Sequence, residues 1–151
     1  MSTETEITLK NSTSCKISLS TEDWEQGLGT PEKLAKNMTA KDSFAFDILK
    51  NDKIIGFAVL RPHENDRYGF FIWDFAIDQT FQNQGYGTAA VRALLELLRS
   101  EYRAKRITLT YIDGNERARH VYEKCGFTEF NRFVESDPLP DEVDMELLFN
   151  I

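Results

Sequence analysis

The sequence predicts a mixed α+β fold: one mostly antiparallel central sheet of six to seven strands, flanked by helices in an α/β sandwich-like arrangement. Three observations carry this. Two β-rich runs, 44–49 and 54–60, flank Asn51-Asp52-Lys53, the grammar of a tight hairpin. The run Tyr68 to Asp78 is too apolar for a half-exposed edge and suits a central strand. An amphipathic segment and another strand follow it, which is the crossover that joins parallel neighbours.

Glu6 to Leu9 reads as a first strand. Ile17 to Ser20 either extends a strand or closes a short helix. Thr30 is placed to cap a helix with Pro31 at its first position, and Leu34, Ala35 and Met38 would form its inner face. Phe44, Phe46 and Ile48 alternate with Ala45, Asp47 and Leu49, and Ile54 to Leu60 is rich in Ile, Val and Phe. Arg61 to Arg67 is polar, contains Pro62 and reads as an exposed loop. Thr88 to Glu101 sets Val91, Leu94, Leu95 and Leu98 at helical spacing. Arg106 to Ile112 alternates Ile107, Leu109 and Tyr111. Asn115 to Lys124 forms a helix stopped by Gly126, and Phe127–Val134 and Val143–Phe149 close the sheet.

No repeat or Pro/Gly/Ser linker divides the 151 residues, so 1–151 is expected to be one domain. A hydrophobic share of 41%, with 11 Phe, 5 Tyr and 2 Trp, supplies a full core and argues against disorder. The net charge of −7 disfavours adhesion to nucleic acid or to anionic membranes and fits a cationic small molecule better. Cys15 and Cys125 have neither CxxC spacing nor histidine partners, so no metal site is expected. The leading residues lack an apolar core and no run approaches the roughly 18 residues of a membrane span, which points to a cytoplasmic protein. His63 and His120 read as surface residues.

Chemistry concentrates at Gln82-Asn83-Gln84-Gly85-Tyr86-Gly87, between the central strand and the helix. Glycines there let backbone N–H groups approach an anion, and the helix dipole favours a phosphate. A ligand-free strand-to-helix turn explains the same spacing. Gly85-x-Gly87-x-x-Ala90, with Asp113 further on at a strand end, also matches a dinucleotide fingerprint. That reading is rejected because antiparallel hairpins precede the motif and too little chain follows Ala90 to complete a doubly wound sheet.

The ordered set of hydrophobic strand, Gln82-x-x-Gly85-x-Gly87, helix, strand, then Asn115-x-x-Ala118-x-x-x-Tyr122-x-x-x-Gly126-Phe127 resembles the GNAT superfamily of acyl-CoA-dependent N-acetyltransferases. The similarity is firmest from Phe57 to Phe130. IWDFAID followed by FQNQGYG, and the acidic Glu142 to Leu147, resemble the diamine and spermidine N-acetyltransferase group.

The resemblance implies a GNAT fold with two strands splayed at the site, acetyl-CoA as cosubstrate, no metal, a small-molecule amine as acceptor, and allows a homodimer. It implies that Phe75, Ala76 and Ile77 pair with the pantetheine arm, with an N–H near Ile77 polarising the acetyl carbonyl. Gln82, Asn83, Gln84, Gly85, Tyr86, Gly87 and Thr88 would wrap the pyrophosphate, and Asn115 would bond the pantetheine side while also capping its helix. Tyr122 would protonate the departing thiolate; without the resemblance it reads as a core tyrosine. Asp74 is the candidate base, or else a strand-end charge or half of an ion pair. Glu142 and Trp24 are the candidate acceptor contacts, the first within an acidic run (Glu135, Asp137, Asp141, Glu142, Asp144, Glu146) that equally suits a solvated loop. Trp24 suits the core as well. The resemblance would let Arg117 and Arg119 reach cofactor phosphates, although arginines on an exposed helix face are common. Neither cysteine is expected as a nucleophile, because direct amine attack in a ternary complex needs none. The competing readings are acetylation of a protein N-terminus or an aminoglycoside-type sugar, and CoA binding without turnover.

Overall fold

A computed structural model describes residues 6–149; residues 1–5, the first half of the polar leading segment, lie outside it. Among the described residues, seven strands form one sheet: β1 (Ile7–Asn11), β2 (Phe44–Lys50), β3 (Lys53–His63), β4 (Asp66–Ile77), β5 (Arg106–Ile112), β6 (Thr128–Phe133) and β7 (Glu142–Leu148). Their order is β1-β2-β3-β4-β5-β7-β6, and only the β4–β5 pair is parallel.

The turn joining β2 to β3 uses Asn51 at φ 50 and Asp52 at φ 67. Two successive positive φ values match the right-handed strand twist, and Asn and Asp tolerate them best after glycine. The segment expected as a loop at 61–67 is instead strand on both sides of a tight reversal at Glu64-Asn65. Pro62 lies opposite Phe70, next to a register irregularity, where its missing N–H is tolerated.

Among the described residues, four helices and two short turns, Trp24–Leu28 and Gln79–Phe81, accompany the sheet. α1 (Thr21–Asp23) starts at a Ser20–Asp23 capping box and widens into a π-type turn, Trp24–Leu28. α2 (Pro31–Met38) starts as expected, with Thr30 accepting from the Lys33 N–H at 3.1 Å. Its inner face is Leu34 and Asn37, with Met38 half-buried; Ala35 turns to solvent. Ile17 to Ser20 is neither strand nor helix but extended chain, tied to Asp78 and Gln79 by the backbone of Ser18. α3 (Tyr86–Glu101) begins two residues earlier than the apolar spacing implies, and α4 (Glu116–Lys124) is capped by Asn115.

The apolar residues partition by strand alternation. Phe46, Ile48, Phe70, Ile72, Ile107 and Leu109 face α3 and α4, where Val91, Leu94, Leu95 and Leu98 meet them. On the opposite face Ala45, Phe57 and Val59 pack against Leu28 and Leu34. Full burial of each such side chain contributes about 1.5–3 kcal/mol. Among the described residues no helix is long and apolar enough to cross a membrane.

Candidate active site

The register of β4 creates the site. β4 pairs with β5 only from Gly69 to Ile72, opposite Arg106 to Leu109. A bulge follows: Val59 lies opposite Asp74 but Leu60 opposite Ile72, which leaves Trp73 extra. Bulges turn a strand out of its plane. From Trp73 to Ile77 the edge of β4 that would face β5 has no ladder partner among the described residues. The expected splay of two strands is present, and a cavity of about 560 Å³ opens along it.

Phe75, Ala76 and Ile77 line this cavity, as do Gln82, Asn83, Gly85, Gly87 and Thr88. Gly85 stands at the N-cap of α3 with φ +84, and a Cβ there would meet no atom within 4 Å. No side chain caps the helix, so the N–H groups of Tyr86, Gly87 and Thr88 point outward without an intrahelical partner. The positive dipole end reinforces them. The side chains of Gln84 and Tyr86 turn elsewhere. Gln84 bonds the Thr80 carbonyl at 3.2 Å, and Tyr86 packs on Phe81 with Lys50 over its ring.

Asn115 lines the cavity and also accepts from the Ala118 N–H at 3.1 Å, so it caps α4 while facing the site. Tyr122 is 8% exposed, lies 6.2 Å from Tyr111 and 6.0 Å from Phe127 by ring centres, and borders the cavity. Burial pushes its phenol above the ordinary tyrosine range, so the ring stays protonated through neutral pH.

Asp74 is 5% exposed and does not line the cavity; the strand bulge turns it to the opposite face, beneath α2, where it accepts from Asn37 Nδ2 at 3.0 Å. Burial raises its carboxyl to about 6, with the Asn37 bond and Lys33 opposing the rise. Trp24 packs on the Leu28–Leu34 cluster rather than bordering the cavity. Glu142 is exposed at the start of β7, also outside the cavity. Much of the acidic run is committed to structure: Asp144 accepts from Thr110 and Asn131, Glu146 from Arg106, and Asp141 from the Glu135 N–H. His63 is half-buried, not a surface residue: its Nε2 lies 2.8 Å from Thr108 Oγ1, and burial beside Arg106 lowers its pKa. His120 is exposed at the cavity wall.

One arrangement escaped the sequence. Gln82 donates to the Ile77 carbonyl at 2.9 Å and to Asp23 at 3.0 Å, while Arg117 donates to Gln82 at 2.8 Å and to Asp23 at 2.9 Å. These bonds tie α1 to α4 across the cavity. Arg119 takes no part, being paired with Glu116 and Glu123. A capping Asp followed far along the chain by Gln and Arg carries no local signal, so spacing alone does not reveal this tie.

Residues 13–127 match the family model described as Acetyltransferase (GNAT) family. Spermine/spermidine N(1)-acetyltransferase of Bacillus subtilis is 34% identical over 83 residues, covering 52% of this chain and 54% of that protein. The chain thus spans about half the length of that relative. Among solved structures, a GNAT family acetyltransferase from Elizabethkingia anophelis with acetyl-CoA bound aligns with a TM-score of 0.73 at 18% identity, covering 95% of this chain and 98% of that one. Spermidine N-acetyltransferase from Vibrio cholerae, in complex with CoA and spermine, gives 0.72 at 19% identity, covering 94% and 95%. At these identities the two structures establish the fold.

Proposed function

This chain belongs to the acetyltransferase (GNAT) family, and from that membership we propose that it transfers an acetyl group from acetyl-CoA to a primary amine, with a diamine or polyamine as acceptor. The observation that carries this reading is the juxtaposition, in one cavity, of the uncapped α3 N-terminus, the unpaired edge of β4 and the buried Tyr122. These residues fit the cosubstrate. Open space at Gly85 and outward N–H groups suit a pyrophosphate, and a free strand edge suits the amide-bearing pantetheine arm. When bound, acetyl-CoA supplies the acetyl group as a reactive thioester.

The chain's own groups do the rest. Tyr86, Gly87 and Thr88 hold the anion through their backbone, and Asn115 meets the pantetheine side. A backbone N–H near Ile77 stabilises charge developing on the acetyl oxygen. Tyr122, kept neutral by burial, donates a proton to the departing sulfur. Asp74 lies outside the cavity, bonded to Asn37, so the proton that the ammonium must lose before it attacks passes to water. The diamine or polyamine assignment rests on the Bacillus subtilis relative and on the chain's net charge of −7, which attracts a polycation.

The test is product mass after incubation with acetyl-CoA and a panel of spermidine, spermine, putrescine, an aminoglycoside and a basic peptide. Acetylated polyamine alone supports the reading. Acetylated peptide or aminoglycoside would replace the acceptor class, and CoA binding with no product would reduce the protein to a binding module.

A further inference from the structure

We infer that Gln82 and Arg117 are positioning residues for the free edge of β4, closing the Ile77 carbonyl and leaving the Ile77 N–H open; this rests on the acetyl-transfer reading above. Gln82 Nε2 donates to the Ile77 carbonyl at 2.9 Å and to Asp23 Oδ2 at 3.0 Å. Arg117 donates from Nη1 to Gln82 Oε1 at 2.8 Å and from Nη2 to Asp23 Oδ1 at 2.9 Å. Asp23, Ile77, Gln82 and Arg117 all line the cavity that runs along this edge.

The direction of the Ile77 carbonyl follows from the peptide it belongs to. The Asp78 N–H donates across to the Ile55 carbonyl of β3 at 2.8 Å. In a trans peptide the carbonyl points the opposite way from the N–H, so Ile77 presents its carbonyl to the side that β5 has left. Strand alternation sends the Ile77 N–H to that same side, because Gly56 to Val59 pair regularly with Ile77 to Asp74. One acceptor and one donor therefore stand at the end of the free edge, and Gln82 takes the acceptor.

Only one orientation of the Gln82 amide fits. Turned over, its oxygen would meet the Asp23 carboxylate and the Ile77 carbonyl, two acceptors, and its NH2 would meet a guanidinium, a donor. Arg117 thus fixes which end of the amide reaches Ile77, and Asp23, bonded by both, anchors the pair. A chain laid along an open strand edge keeps its register only where something specifies it. With the Ile77 carbonyl closed, an amide-bearing arm finds both a donor and an acceptor at Phe75 but a donor alone at Ile77. Its ladder ends there, and the Ile77 N–H is left for the group that follows the last amide. Holding that edge in place before the ligand arrives also removes the cost of ordering it on binding.

The test is calorimetric binding of two ligands: CoA, and 3′-phospho-ADP, which carries the same phosphates without the arm. Gln82→Met and Arg117→Met keep side-chain bulk and lose the polar ends. Each is expected to weaken CoA about tenfold, the worth of one hydrogen bond to a pre-organised edge, while 3′-phospho-ADP binds as it does to the wild type. Unchanged CoA binding in both variants overturns the inference. Equal losses for the two ligands overturn it as well, by making these side chains phosphate contacts. A loss in one variant alone refutes the role of the other residue. Melting curves check folding, and should one variant fail to fold, the other decides. No CoA binding by the wild type refutes the acetyl-transfer reading itself, whereas wild-type binding with unaffected variants refutes only the clamp.

Discussion

Tyr122→Phe removes one oxygen and leaves the ring in place. The ring is 8% exposed and packs edge-on or tilted against Phe127 and Tyr111, contacts that phenylalanine reproduces. Stability should change by no more than about 1 kcal/mol, the net worth of one hydroxyl interaction. For a chain of this size that is a shift of roughly 2–4 °C in melting temperature. Turnover should fall much further. A positioned general acid contributes about 10²–10⁴-fold, and here the phenol is neutral across the working range because burial raises its pKa. No basic limb from this residue is expected below the ordinary tyrosine range. The assay is steady-state thiol release with spermidine, paired with CoA binding by calorimetry and a melting curve. Turnover within threefold of wild type, with unchanged binding, would refute the acid assignment.

Asp74→Asn measures the cost of burying this carboxyl beneath α2. Folding raises the carboxyl from 3.8 to about 6, so between those values the native state binds more protons than the unfolded chain and stability falls as pH rises. At neutral pH the buried charge costs up to about 3 kcal/mol. Asp74→Asn should melt higher than wild type at pH 7, with the gap closing below pH 4; a gap that persists in acid contradicts the assignment. Gly56→Ala should destabilise the site's own strand pair, because the added methyl would sit 2.8 Å from the Ala76 carbonyl, and a wild-type melting temperature would show that β4 yields freely there. The tie between α1 and α4 should appear as a coupling of about 1 kcal/mol in a double-mutant cycle of Asp23→Ala and Arg117→Ala, given that Arg117 is half-exposed. That coupling is present at neutral pH and fades in acid, because the Asp23 carboxyl sits below its ordinary range once its hydrogen bonds outweigh desolvation. Zero coupling at pH 7 would remove the tie.

Local signals carried most of the architecture. Strand alternation located β2, β3 and β5, the Asn51-Asp52 turn set the first hairpin, and the Val91–Leu98 spacing located α3. The glycine motif pointed to the α3 N-terminus because positive φ and an uncapped helix end are written in residue type. Long-range facts were not legible. That Trp73 is bulged, and so turns Asp74 away from the cavity, depends on β3 register rather than on composition. Asn37 looks like any polar residue of a short helix until Asp74 is brought beneath it from another strand. The half-burial of His63 likewise follows from β4–β5 pairing, which carries Thr108 to its ring.

The central claim is acetyl transfer to an amine at the cavity beside the α3 N-terminus. Its most direct test is the rate of free-thiol release from acetyl-CoA by the purified chain, with and without spermidine. The expected result is release that depends on both components, saturates in each, and yields acetylated spermidine in equal amount. Thiol release that ignores the amine, or none at all while CoA still binds, would contradict it.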